Sequence, residues 1–185
     1  MPETVRQARK RPYARSIGVV YLAYFVVALL GLFLAHHKIS TGALMNWLPV
    51  VLYTALTVLL YRLFRPAQPL LALAATLCSL AGCTLDGLHV LHRSLAGLRP
   101  LMFFGPFCIL LGVLILRSKF LPRWLCWPLI VAGLCWLAYL IPMVALHTKQ
   151  IVIAVGFVAE FELMVWLLFK GVDEADWPEP SLPNS

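Results

Sequence analysis

The chain has 185 residues, 62% of them hydrophobic and 12% charged, where soluble domains run at about 45–50% and 25%. Fifteen Lys and Arg against eight Asp and Glu give a net charge of +7, and mean hydropathy is +0.87. Six Trp, ten Phe and six Tyr are more than so few charges can keep in water. A soluble enzyme, a disordered chain and a nucleic-acid-binding module are excluded, because the basic residues lie in short segments between apolar stretches and form no patch.

A helix rises about 1.5 Å per residue, so an apolar slab of about 30 Å takes some 20 residues. In chain order, six stretches meet or approach that length: Ser16–Ala35, Ala43–Leu60, Leu70–Val90, Leu101–Leu116, Leu125–Leu146 and Ile151–Phe169. The fourth is short and carries Pro106, which predicts a kink or local bilayer thinning. Alternating polarity, the mark of a membrane barrel, is absent. Backbone buried in lipid must pair internally, so the spans are helices. The predicted fold is all-α, a polytopic bundle of six transmembrane helices over 16–171, after a basic segment at 1–15 and before an acidic, proline-rich, disordered tail at 172–185.

Arg6, Arg9, Lys10, Arg11, Arg15, Arg62, Arg65, Arg117, Lys119, Arg123 and Lys170 fall on the side of the amino terminus, and only Lys38, Arg93, Arg99 and Lys149 on the other. The bias predicts both termini in the cytoplasm. Tyr61, Trp124 and Trp166 near the inner boundary, and Trp47 near the outer, agree with it. The first apolar run is longer than a secretory signal's and lacks an A-x-A site, so it is read as retained.

Small residues recur every fourth position in the third span: Ala75, Ser79, Cys83 and Gly87 in one row, Ala74, Cys78, Gly82 and Asp86 in the next. Such rows let helix backbones approach closely in lipid. They predict a third helix at the centre of the bundle, or a seam for homo-oligomers. The five cysteines lie inside spans without a C-x-x-C and read as small apolar fillers.

Three acids lie within spans: Asp86, Glu160 and Glu162. A carboxylate at membrane depth costs several kcal/mol unless paired or protonated, which makes each a candidate site. Glu160 is the tenth residue of the sixth span, near mid-membrane. Glu162 is about 200° further round the helix, so the two cannot act as a pair. All five histidines (His36, His37, His89, His92 and His147) fall on the extracytoplasmic side. Asp86, His89 and His92 form D-x-x-H-x-x-H over about 120° of one helix face. With His147 or His36 they make a candidate metal set, for which zinc is the fitting ion. The alternatives are an interfacial structural role and pH sensing. No nucleophile elbow or phosphate-binding glycine loop is present.

Ser16–Leu22, Leu59–Pro66, Phe103–Arg123 and Glu160–Gly171, in this order and spacing, resemble the domain-of-unknown-function 4386 family of small bacterial multi-pass membrane proteins. The resemblance implies a multi-spanning bacterial protein and carries no activity, substrate or cofactor. It favours Glu160 over Glu162 as the inward acid, by its distance to Trp166. Phe107 stands where relatives carry a histidine, and a helix-three arginine of the family has no counterpart near Ser79.

Three readings follow. The first is a carrier or sensor of a small solute or proton, with a polar pocket opening outward that holds Glu160 and, nearer the surface, Asp86. The second is a metal-dependent membrane hydrolase or lipid-modifying enzyme using Asp86, His89 and His92. The third is a structural or assembly partner. The small-molecule ligand is left open by the sequence, and the lipid bilayer is the one certain partner.

Overall fold

A computed structural model describes residues 3–39, 42–93, 95 and 98–172. Six helices follow one another: α1 Glu3–His36, α2 Ala43–Phe64, α3 Pro69–Val90, α4 Leu101–Arg117, α5 Cys126–Ala138 and α6 Pro142–Phe169, with a 3-10 turn at Arg123–Leu125 leading into α5. There is no strand among the described residues. Four helices contain stretches long and apolar enough to cross a membrane (Tyr13–His36, Leu44–Phe64, Pro69–Val90 and Gln150–Phe169), while α4 and the 123–138 segment are shorter. Their outward faces carry Val26, Phe33, Leu44, Leu77, Trp127 and Ile151, all more than half exposed. So much exposed apolar surface is that of a protein solvated by lipid.

Two boundaries differ from those the sequence predicts. Helix α1 runs back through the basic segment to Glu3. The predicted fifth span, Leu125–Leu146, ends early: α5 stops at Ala138, the chain turns over Tyr139–Ile141, and α6 starts at Pro142. Proline at the first helical position has no N–H to satisfy and is already set for a helix. The polar run His147–Gln150 lies within α6 and is not a loop. The predicted tail lies outside the described residues except Val172, which is buried.

The helices form a closed ring in chain order, each packed on the next, with α6 returning to α1. Every neighbouring pair is antiparallel. Gly18 meets Leu168 while Phe25 meets Phe157, and Gly112 meets Cys126 and Ile130 while Gly105 meets Gly133. The start of α1 and the end of α6 therefore share one end of the ring, with Trp124 against Trp166 at 5.8 Å. The other end holds Trp47 on Gly87.

Glycines set how closely the ring closes. A Cβ on Gly18 would stand 2.6 Å from the Leu168 backbone nitrogen, and one on Gly133 would stand 2.6 Å from the Gly105 carbonyl oxygen. Backbone-to-backbone approach of this kind holds helices together where water exclusion does not. The small-residue rows of α3 do the same work inside the chain. Ala75, Ser79, Cys83 and Gly87 are all buried, Ser79 and Thr57 of α2 share a 2.6 Å hydrogen bond, and Gly82 admits the Phe104 ring of α4. The expected oligomer seam is thus filled by α2 and α4 of the same chain, and α3 is one stave of the ring, with no place at its centre.

Replacing Gly18 or Gly133 by Ala puts a methyl group where backbone stands, an overpacking of about 1–3 kcal/mol. Each variant should melt earlier in detergent than the parent, measured by tryptophan fluorescence. Gly31, with nothing within 4 Å of its Cβ position, should accept Ala without loss.

Candidate functional site

Glu160 lies inside the ring. Tyr21 of α1 donates its hydroxyl to Oε2 at 3.1 Å, and Tyr53 of α2 donates to Oε1 at 3.2 Å. Both tyrosines are buried, and their rings are locked by others: Tyr21 stacks on Phe25 at 5.4 Å, and Tyr53 meets Tyr24 edge-on at 4.8 Å and Phe104 at 5.3 Å. Each carboxyl oxygen thus has one neutral donor fixed by packing.

A cavity of about 430 Å³ opens beside this carboxyl and is lined from all six helices. Glu160 marks its deep end. Val90 and Leu101, at the end of α3 and the start of α4, mark the end toward the surface, with the exposed His89 beside them. Asp86 lines it one turn before His89. Trp136 enters because Gly156, one turn before Glu160, has no side chain: a Cβ there would lie 2.6 Å from the indole ring. Among the described residues, no Lys or Arg lines the cavity.

Two neutral hydroxyls do not offset the cost of burying a charge. A hydrogen bond to an ionised group contributes about 1.5–3 kcal/mol, whereas moving a carboxylate out of water costs several kcal/mol even after relaxation. With no Lys or Arg among the described residues of the lining, the carboxyl is neutral when it holds a proton and is otherwise matched by a cation from outside. That is the chemistry the arrangement offers: reversible occupation of an interior acid through a water-sized path.

The other predicted site residues are distributed differently. Glu162 is half-buried and outside the cavity lining. The expected metal set does not assemble: among the described residues no three His, Cys, Asp or Glu groups are placed to hold an ion. The reason is local. Helix α3 ends at Val90, so His92 is off the helix and does not continue the face of Asp86 and His89. It adopts φ 56° and donates its backbone N–H to the His89 carbonyl at 2.9 Å, while Arg93 donates to Leu88 at 2.9 Å. This is the pair of bonds that closes a helix through a left-handed residue. His92 is a helix terminator, and His147 stands in α6 on the same end of the ring.

The residues that complete the site are those a search for acids, histidines and nucleophiles passes over: Tyr21, Tyr24, Tyr53 and Trp136. A signal for them exists in the sequence. Tyr21, Tyr24 and Phe25 recur at helical spacing in the middle of a span, where a hydroxyl needs a partner as surely as an acid does.

Residues 86–171, from Asp86 through α4, α5 and α6, match the family model described as Domain of unknown function (DUF4386), in agreement with the resemblance drawn from the sequence. No curated protein and no solved structure matches the chain.

The left-handed conformation costs a non-glycine residue about 1–2 kcal/mol, and more for a β-branched one. His92→Gly should therefore raise the melting temperature, and His92→Val should lower it. The opposite order would show that the His92 side chain holds the α3–α4 connection itself. A second expectation concerns the donors. Tyr21→Phe and Tyr53→Phe each strip one hydrogen bond from Glu160, and each should destabilise the fold by about 1–3 kcal/mol. Both losses should show as earlier melting in detergent, and an unchanged melting temperature in either variant would contradict the hydrogen bond it removes.

Proposed function

We propose that this is a six-crossing protein of the bacterial inner membrane, both termini cytoplasmic, that carries or senses a small solute or proton at Glu160 through a cavity open to the periplasm. The orientation rests on charge. Arg15, Arg62, Arg65, Arg117, Lys119, Arg123 and Lys170 belong to the end of the ring where α1 begins and α6 finishes, and the histidines to the other. The excess of basic residues marks the cytoplasmic side.

Six crossings, and not four with a re-entrant hairpin, is the reading favoured by the tip between α4 and α5. Phe120 in that tip packs on Phe64 at the end of α2, with ring centroids 5.5 Å apart. Exposed Arg117, Lys119 and Arg123 stand around it. A tip ending short of the headgroups would leave three cations in hydrocarbon. Helices of this length cross where the bilayer thins locally.

The observation that carries the function is the Glu160 carboxyl itself, between two tyrosine hydroxyls at the end of a cavity that no Lys or Arg lines among the described residues. An acid used only for packing would be replaceable by Gln or Leu. An acid used for exchange is not. In proteoliposomes holding a pH-sensitive dye, an external acid step should acidify the lumen faster than in empty liposomes. Glu160→Gln should return the rate to the empty level. An undiminished rate in folded Glu160→Gln would overturn the assignment.

A further inference from the structure

We infer that the cavity takes an organic cation with an apolar body, such as a protonated or quaternary amine, its charge set against Glu160 and Asp86 and its hydrocarbon against the aromatic walls. This rests on Glu160 being the functional site and adds the chemical class of its ligand.

Three features of the lining lead to it. The first is sign: two carboxylic acids, Glu160 at depth and Asp86 nearer the mouth, and no Lys or Arg among the described residues. An anion entering here would meet repulsion without a partner. His89, the one basic residue of the lining among the described residues, is exposed and stands a turn from Asp86.

The second is surface. The walls include Tyr24, Tyr53, Phe104 and Trp136 beside the polar Asn46, with Tyr53 in edge contact with both Tyr24 and Phe104 and Trp136 laid on Gly156. Aromatic rings attract cations through their quadrupole, most strongly in a desolvated site, and give apolar groups a surface to bury. Tyr24 lines the same cavity as Glu160 and Asp86, so an aromatic face is offered beside the two acids.

The third is size. An inorganic cation needs converging oxygen ligands. The cavity of about 430 Å³ instead falls in the range of small-molecule sites, about 300–1,000 Å³. One oxygen of the Glu160 carboxyl already accepts from Tyr21 and the other from Tyr53. The remaining lone pairs suit a diffuse charge better than a small ion that demands a full shell.

The test uses two probes of matched shape and opposite charge, tetraphenylphosphonium and tetraphenylborate, with the full-length protein in lipid nanodiscs and empty discs subtracted. Labelled tetraphenylphosphonium should bind saturably, and tetraphenylborate should not displace it. Glu160→Gln should weaken binding by about tenfold or more, Tyr24→Leu by about threefold or more, and Tyr24→Phe, which keeps the ring, by less than about twofold. Asp86→Asn, weakening by about threefold, gives a second reading if Glu160→Gln does not fold. Equal binding of both probes, no saturable phosphonium binding, or full affinity in the folded acid variants would overturn the inference. If phosphonium binding fails while proton entry still depends on Glu160, the ligand class is wrong and the site stands. If both fail, the site is wrong as well.

Discussion

A carboxylic acid in the middle of a membrane protein constrains everything around it. Glu160 sits ten residues into the twenty-residue apolar stretch Gln150–Phe169, where no water is available unless the protein admits it. The structure answers with Tyr21 and Tyr53, one hydroxyl for each oxygen, and with a cavity that reaches the carboxyl from one end of the ring. Neither hydroxyl carries charge, so the site is not self-neutralising. This distinguishes it from a structural ion pair, in which a lysine or arginine would close the account locally. An acid so placed responds to what arrives from outside.

The ring follows from the same constraint. Six staves around an interior acid need close walls elsewhere, and the chain supplies them with glycine. Gly18 against Leu168 and Gly105 against Gly133 bring backbones together on the sides, and Ser79 with Thr57 joins α2 to α3 by a buried hydrogen bond. Below Glu160, toward the end where α1 begins, Ile17, Leu111, Leu125 and Leu163 fill the interior and are buried almost completely. Above it, Gly156 and Gly87 leave room for Trp136 and Trp47, and the interior opens. The asymmetry between a solid lower half and a hollow upper half fits a path that reaches the acid from one side only.

Much of this was legible in the sequence, and the misses have physical causes. Helix number and the short fourth helix follow from hydropathy and length, and helical geometry sets Glu160 and Glu162 on opposite faces, with the family resemblance favouring Glu160 as the inward one. The break at Tyr139–Ile141 does not, because its residues are as apolar as those of a span. Hydropathy reports the solvent around a segment and not the path of its backbone. The reverse error fell on His147–Gln150, where polar side chains mark the membrane surface while the helix continues. His92 was misread for a related reason: counting by threes assumes a helix, and the helix ends two residues earlier. The tyrosines were passed over because an aromatic residue in a span looks like filling until its hydroxyl is required to have a partner. The small-residue rows of α3 mark close packing, and the row Ala75, Ser79, Cys83 and Gly87 is buried within this chain. Periodicity alone does not say whether the partner helix belongs to the same chain.

Accessibility of position 160 from the outer face tests the central claim most directly. In a cysteine-free background, Glu160→Cys and Leu163→Cys would be exposed, in right-side-out vesicles, to a membrane-impermeant cationic methanethiosulfonate. Leu163 is fully buried and lies outside the cavity lining, so it should stay unlabelled, whereas position 160 should react. Reaction at 160 only after the cytoplasmic face is opened, or no reaction at 160 while a cysteine at His37 labels readily, would contradict the account.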